Sequence, residues 1–174
     1  MKRVRDEMGL KNLILVIPFC RIVEEARKVI AEMEKNGLQI YAMCEIPNNV
    51  LLIEEFSEFF DGFSIGSNDL TQLTLALIET PNYLLQNSMS EIRELGNNGN
   101  DCALGAKNGR HSGTYGQAPS DFPEIAEFLV KLGIDSISLN PDSVMKITLK
   151  VLETEKEMEG NEKYLNSKLT GIHQ

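Results

Sequence analysis

Short apolar runs alternate with helix-like segments along much of this chain, and no other feature constrains its fold as strongly. Residues 13–19 (LILVIPF), 38–46 (LQIYAMCEI), 61–66 (DGFSIG) and 134–140 (IDSISLN) each read as a strand. Apolar runs of this kind, joined by helical segments, are typical of βα units that build a buried parallel sheet. The sequence therefore predicts an α/β fold.

The segments between these runs have helical patterns. Residues 21–37 are amphipathic and end on a glycine, the residue type favoured just beyond a helix C-terminus. Residues 47–60 begin with Pro47, which suits the first helical turn because no partner is needed there for its missing N–H. Residues 120–133 predict a later helix capped by serine or aspartate, and residues 141–159 predict a closing helix.

Polar groups follow two of the predicted strands where each strand ends. Glu45 comes directly after YAMC, and Gly66, Ser67, Asn68 and Asp69 come directly after FSI. Two carboxylates at neighbouring strand ends, beside hydroxyl and amide groups, suit Mg²⁺ and a phosphorylated ligand. On spacing alone, a strand-end charge and a helix cap explain the same two acidic residues.

Four blocks carry a resemblance to a known family: residues 16–30, 41–52, 60–75 and 116–144. They resemble the C-terminal barrel of the phosphoenolpyruvate synthase (pyruvate, water dikinase) family, which binds phosphoenolpyruvate. The resemblance implies a TIM (β/α)8 barrel with its site at the C-terminal ends of the strands. Pyruvate, phosphate dikinase and enzyme I of the sugar phosphotransferase system share this barrel, but GSNDLTQLTL and GQAPSDFPE favour the synthase family.

The resemblance also implies a reaction and a set of site residues. In the family, ATP phosphorylates a histidine on a mobile domain, and the phosphoryl group then passes to pyruvate in a gluconeogenic step. Glu45 and Asp69 match the positions that hold Mg²⁺, which stabilises the enolate of pyruvate. Gly66, Ser67, Asn68 and Asp69 match the positions that bind pyruvate or phosphoenolpyruvate.

The predicted strands are too few for a whole barrel. They match barrel strands four, five, six and eight, with a damaged seventh, so residues 1–150 predict roughly the C-terminal half and residues 151–174 a C-terminal helix and tail. The resemblance places the early strands, two ligand-binding arginines, the ATP-binding domain and the phosphohistidine domain outside this chain. We therefore expect a fragment that is inactive alone, with a non-catalytic, degraded remnant as the alternative.

The segment 76–114 breaks the pattern. It has no sustained apolar face, and its GNNGN run at residues 96–100 is a strong helix breaker. A polar loop or insertion is the ordinary interpretation, although so long an irregular stretch is unusual in a compact domain. Back-translation in other reading frames yields family-like text, such as LDRDSEL from residues 76–83. The hypothesis is a frame error across 76–114, and the prediction is irregular structure there.

Tyr115 stands where the family has the cysteine that protonates the enolate carbon. A phenol has a reference pKa near ~10 and a larger side chain than a thiol. Because a catalytic acid must match both reach and pKa, we expect Tyr115 not to replace that thiol.

Three other residues have weaker claims to function. Arg21 follows the first strand and could meet phosphate, but a surface ion pair explains it equally well. His111 lies in the anomalous segment and is not expected to be a phosphohistidine. His173 is the penultimate residue and carries no functional signal.

Composition excludes several classes of protein. The net charge is −9 with no basic run, which argues against nucleic-acid binding. No apolar stretch reaches membrane-spanning length and the N-terminus lacks a signal-peptide core, so we expect a cytoplasmic protein with no membrane partner. Cys20, Cys44 and Cys102 are too widely spaced for a zinc motif, and the first two are expected to be buried thiols. A homo-oligomer is left open.

Overall fold

The computed structural model describes residues 2–33, 37–75 and 109–170. Within these ranges the strands are β1 (Ile14–Ile17), β2 (Gln39–Cys44), β3 (Gly62–Gly66), β4 (His111–Tyr115) and β5 (Ser136–Ile137). They form one sheet in chain order, and every neighbouring pair is parallel. The α/β prediction is confirmed.

The described helices alternate with these strands. They are α1 (Lys2–Asp6), α2 (Val23–Glu32), α3 (Pro47–Leu51), α4 (Ile53–Ser57), α5 (Ser67–Leu75), α6 (Ala118–Asp121), α7 (Pro123–Lys131) and α8 (Val144–Thr170). Across the described ranges, none combines the length and the apolar character that crossing a bilayer requires.

One face of the sheet packs against the helices. Side chains alternate between the two faces of a strand, so Ile40, Ala42 and Cys44 of β2 point the same way, as do Phe63 and Ile65 of β3. All five are buried in apolar clusters. Burial of Cys44 and of Cys20 confirms the prediction of buried thiols. The helix-side members of the clusters include Ala26, Val50, Ile53, Phe56, Phe60, Leu70, Ala118, Ile125 and Leu129.

The other face of the sheet is organised around two glycines of β3. Gly62 is in register with Tyr41 on one side and His111 on the other. A Cβ atom at Gly62 would lie 2.8 Å from the Tyr41 ring, and that ring stacks on His111 with centroids 5.4 Å apart. A glycine within a strand often marks such a close approach. The bare backbone lets side chains of β2 and β4 meet across β3, and the same arrangement recurs at Gly66.

Some element boundaries differ from those predicted. The helix expected over residues 47–60 breaks at Leu52, which has φ −113° and ψ 31° and separates α3 from α4. The strand expected over 134–140 is limited to β5. Ser120 does not cap α7, because its Oγ accepts a hydrogen bond from the Asn140 N–H instead (2.9 Å). Gly133 follows α7 with φ +81°, as predicted for a helix C-terminus.

The predicted irregular segment is described only in part. Residues 76–108 lie outside the described residues, so the prediction is untested there. It is wrong for residues 111–114, which form most of β4 and pair with β3 and β5. Ser112, Gly113 and Thr114 are buried. Hydrogen-bonding partners on both sides outweigh the weak strand propensity of such small, polar residues.

Two aspartates stabilise the N-terminal edge of the sheet. The N–H of Asp61 donates to the Ile40 carbonyl (2.8 Å), and Asp61 Oδ2 accepts the Ile40 N–H (2.9 Å). Asp135 pairs with Ser112 in the same way, at 3.0 and 2.8 Å, and also accepts the Ser112 hydroxyl at 3.1 Å. Each aspartate thus satisfies an N–H near the start of the preceding strand.

Asp135→Ala should lower the free energy of unfolding by about 1–3 kcal/mol, because it leaves the buried Ser112 N–H without its carboxylate acceptor. Urea denaturation followed by circular dichroism measures the change. The control is Asp142→Ala at an exposed position, which should change stability by less than about 0.5 kcal/mol. Equal effects of the two variants would contradict the role of Asp135.

Candidate functional site

Three polar residues lie at the C-terminal edge of the sheet. Glu45 directly follows β2, Asp69 lies in the first turn of α5 just after β3, and Tyr115 ends β4. Since β2, β3 and β4 are parallel and in register, these positions share one edge. The structure therefore places Glu45 and Asp69 at the same end of adjacent strands, as the sequence predicts.

Glu45 is the buried centre of this edge, with 1% of its surface exposed. Its Oε1 accepts the Phe19 N–H at 2.7 Å, and its Oε2 accepts the Tyr115 hydroxyl at 3.2 Å. A buried carboxylate without such donors would be strongly destabilising. Glu45 therefore connects the ends of β1, β2 and β4.

Phe19 has an unusual backbone for its residue type. Its φ is +50°, in the left-handed region that costs a non-glycine residue about 1 kcal/mol. Its side chain is 54% exposed, so burial of the ring does not account for this conformation. The Phe19 N–H contributes the bond to Glu45, and that bond offsets the strain.

Asn49 is a further buried residue of the site, and sequence reasoning missed it. Its Oδ1 accepts the Ile46 N–H at 3.2 Å, and its Nδ2 donates to the Cys20 carbonyl at 2.7 Å. The neighbouring Asn48 donates to the Arg21 carbonyl at 2.7 Å. Together the two amides hold the loop after β1 against the loop after β2. The sequence feature that could have identified Asn49 is the pair of amides, Asn48 and Asn49, in the first turn of the helix that follows Glu45.

Tyr115 reaches Glu45 by crossing Gly66. The two residues are in register, and a Cβ atom at Gly66 would lie 2.6 Å from the Tyr115 hydroxyl oxygen. Burial raises the pKa of the Tyr115 phenol, and the negative charges of Glu45 and Asp69 raise it further. The phenol therefore stays protonated and acts as a hydrogen-bond donor to Glu45.

The predicted ligand-binding residues Gly66, Ser67, Asn68 and Asp69 lie together at the junction of β3 and α5. Ser67 is buried and its hydroxyl donates to the Tyr115 carbonyl at 3.5 Å, whereas Asn68 and Asp69 are half-buried. The first N–H groups of a helix favour anions, so this junction suits a phosphate or carboxylate group.

The side chains of two other candidate residues have partners outside this group. Arg21 forms an exposed ion pair with Glu25, which agrees with the surface interpretation of that arginine. His111 starts β4 at the opposite end of the sheet, where its Nε2 lies 3.0 Å from the Ser136 hydroxyl oxygen. His173 and Cys102 lie outside the described residues.

The donor set at this edge fits Mg²⁺ in kind. Mg²⁺ is usually held by one or two carboxylates together with water and substrate oxygens. Glu45 and Asp69 supply two carboxylates, and the described ranges contain no cluster of three or more His, Cys, Asp or Glu side chains arranged for a metal. Each Glu45 oxygen accepts one hydrogen bond and has a second lone pair. Ligand oxygens would have to complete the coordination.

Gly66→Ala should lower the free energy of unfolding by about 1–3 kcal/mol, because the new methyl group overlaps the Tyr115 phenol. In a Tyr115→Ala background this cost should largely disappear, and urea denaturation of the four proteins measures the difference. The control is Gly160→Ala on α8, where an added Cβ meets nothing within 4 Å. An equal cost of Gly66→Ala in both backgrounds would contradict the crossing of Gly66 by Tyr115.

Comparison with known proteins assigns the chain to a family. Residues 12–156 match the model of the PEP-utilising enzyme, PEP-binding domain. Proteins named phosphoenolpyruvate synthase are similar to it: 56% identical over 91% of this chain in Synechocystis sp., 49% over 90% in Aquifex aeolicus, and 42% over 90% in Escherichia coli. This chain spans about a fifth of the length of these relatives.

A solved structure supports the barrel-type fold. Pyruvate kinase from Cryptosporidium parvum superposes with a TM-score of 0.56 over 88% of this chain and 35% of that chain, at 12% identity. At this identity the likeness concerns the fold alone, and it is consistent with a partial TIM barrel. The match over residues 12–156, together with these relatives, shows that the chain belongs to the PEP-utilising enzymes and contains sequence of their PEP-binding domain.

Proposed function

We propose that this chain is the pyruvate- and phosphoenolpyruvate-binding part of a phosphoenolpyruvate synthase. In that reaction a phosphoryl group carried on a histidine of another domain is transferred to pyruvate. The observation that carries the proposal is the buried Glu45 carboxylate, which lies with Asp69 at the C-terminal ends of adjacent strands, the edge at which barrel enzymes bind their ligands. The names of the relatives support the choice of reaction.

Glu45 and Asp69 would hold Mg²⁺, with the ligand's own oxygens completing the coordination. When bound, the cation would supply positive charge to the enolate oxygen of pyruvate. Ser67, Asn68 and the first N–H groups of α5 would face the anionic groups of the ligand. The bare backbone of Gly66 would admit the ligand only where the Tyr115 phenol, which crosses it, moves aside.

The remaining parts of the reaction would come from elsewhere in the enzyme. Since the relatives are about five times longer than the stretch matched here, we assign the ATP-binding and phosphohistidine domains to that additional length. We assign the reaction to the cytoplasm and to gluconeogenesis, with no nucleic-acid or membrane partner.

Tyr115 would not serve as the acid that protonates the enolate carbon. Its raised pKa makes the phenol a poorer proton donor than an ordinary tyrosine, and its hydrogen is already donated to Glu45. This observation favours one alternative, a non-catalytic remnant that keeps the family fold without turnover. The nucleotide sequence of codons 70–120 would test the proposed frame error directly.

Mn²⁺ and phosphoenolpyruvate should each bind this chain weakly alone and more tightly together. The oxygens of phosphoenolpyruvate complete the coordination of the cation, and the cation attracts the negative charge of phosphoenolpyruvate. Electron paramagnetic resonance of Mn²⁺, a spectroscopic substitute for Mg²⁺, measures the bound fraction with and without phosphoenolpyruvate. Asp69→Asn should reduce joint binding at least tenfold, and the exposed control Asp142→Asn should leave it unchanged. Joint binding that survives Asp69→Asn would contradict the assigned site.

A full-length synthase with the family cysteine replaced by tyrosine, at the position matching Tyr115, should lose pyruvate proton exchange by about a hundredfold or more. Proton exchange at the pyruvate methyl group, followed by NMR in D₂O, reports the acid directly. The Cys→Ser variant controls for loss of the thiol without added bulk. Exchange near the parent rate in the tyrosine variant would show that a phenol can act as the acid.

A further inference from the structure

We propose that Tyr115 weakens the carboxylate site of this chain: its hydroxyl takes one lone pair of Glu45 Oε2, so a divalent cation binds there less tightly than it would without the phenol. The inference rests on the proposed function, since it takes Glu45 and Asp69 as the cation ligands. It adds a residue that sets the affinity of the site.

The position of the Tyr115 ring follows from the sheet. Tyr115 ends β4 in register with Gly66, and the absence of a side chain there lets the phenol cross β3. Behind it, the Tyr115 carbonyl accepts the Ser67 hydroxyl at 3.5 Å. At Gly116, which has φ +122°, a Cβ atom would lie 2.6 Å from the same hydroxyl oxygen. Ser67 thus packs against the backbone of Tyr115 and Gly116, while Gly66 and Glu45 contact the phenol itself at the edge that carries the two carboxylates.

The contacts of Glu45 show why the phenol and a cation compete. Oε1 accepts the Phe19 N–H from the main chain, so this donor does not rotate with the Tyr115 side chain. Oε2 accepts the Tyr115 hydroxyl, so a positive hydrogen points at the oxygen that also lies nearest the end of β4. A cation approaching Oε2 meets that hydrogen, and the two repel each other. The phenol therefore lowers the affinity of Oε2 for a cation, although the second lone pair of this oxygen stays available.

The competition has a measurable size. The hydrogen bond from the neutral phenol to the charged carboxylate stabilises the cation-free state. Its removal should therefore raise the affinity for the cation roughly tenfold. Tyr115→Phe keeps the ring and removes only the competing hydrogen, so cation affinity should rise by about that factor. Tyr115→Cys also removes the ring, so its affinity should rise at least as far.

The test measures Mn²⁺ alone, without phosphoenolpyruvate, by electron paramagnetic resonance on the full chain. The expected result is about tenfold tighter Mn²⁺ binding in Tyr115→Phe, lost again when Glu45→Gln is added. A second readout is the melting temperature, which Mn²⁺ should raise more in Tyr115→Phe than in the parent. There the buried Glu45 oxygen has lost its donor and gains most from a cation.

Tyr41→Phe is the matched control. Tyr41 lies on the same sheet face at the opposite end, where its hydroxyl donates to the Gln39 side chain at 3.4 Å. Loss of that hydroxyl should leave Mn²⁺ affinity unchanged. A similar gain in Tyr41→Phe would overturn the proposal, because the effect would then not depend on Glu45.

Other outcomes also decide the question. Unchanged Mn²⁺ affinity in both Tyr115→Phe and Tyr115→Cys overturns the proposal, as does a loss of folding in both that Mn²⁺ does not reverse. Tighter Mn²⁺ binding without any phosphoenolpyruvate binding supports this inference and counts against the proposed function. Joint binding of Mn²⁺ and phosphoenolpyruvate by the parent chain, without tighter Mn²⁺ binding in the Tyr115 variants, supports the proposed function and overturns this inference.

Discussion

The buried carboxylate of Glu45 is the interaction on which the C-terminal edge of this sheet depends. Its two oxygens take one donor from the loop after β1 and one from the end of β4, so three strand ends are held by one side chain. Leaving either oxygen without a donor in this buried position would be costly, which explains why Phe19 keeps a left-handed backbone. Asn49 completes the arrangement by holding the same two loops together through Cys20.

The glycines of β3 make this arrangement possible. Gly62 and Gly66 lie four residues apart on one face of the strand, and each lets a side chain of β4 reach one of β2. At the N-terminal end the contact is Tyr41 with His111, beside the aspartate pairings that stabilise the strand starts. At the C-terminal end it is Glu45 with Tyr115. Under the proposed function, the N-terminal end contributes stability and the C-terminal end ligand binding, the division that is general for barrel enzymes.

Family membership and local chemistry lead to different conclusions about activity. The relatives make a PEP-binding role the natural proposal, and two carboxylates at the right edge support it. The phenol of Tyr115 has the opposite effect, since it binds one of those carboxylates and is a weaker acid than an ordinary tyrosine. In the proposals above, the two carboxylates favour ligand binding and the Tyr115 phenol opposes it.

The sequence by itself determined the order of βα units, the parallel sheet and the placement of Glu45 and Asp69 at one edge, because apolar periodicity and strand-end position are local properties. The resemblance implied β4 only as a damaged seventh strand, since residues such as Ser112 and Gly113 form a regular strand only when strands on both sides supply hydrogen bonds. The bond between Tyr115 and Glu45 joins residues 70 positions apart across a glycine. Only the tertiary structure decided that contact, because it depends on register between non-consecutive strands, which no local pattern encodes.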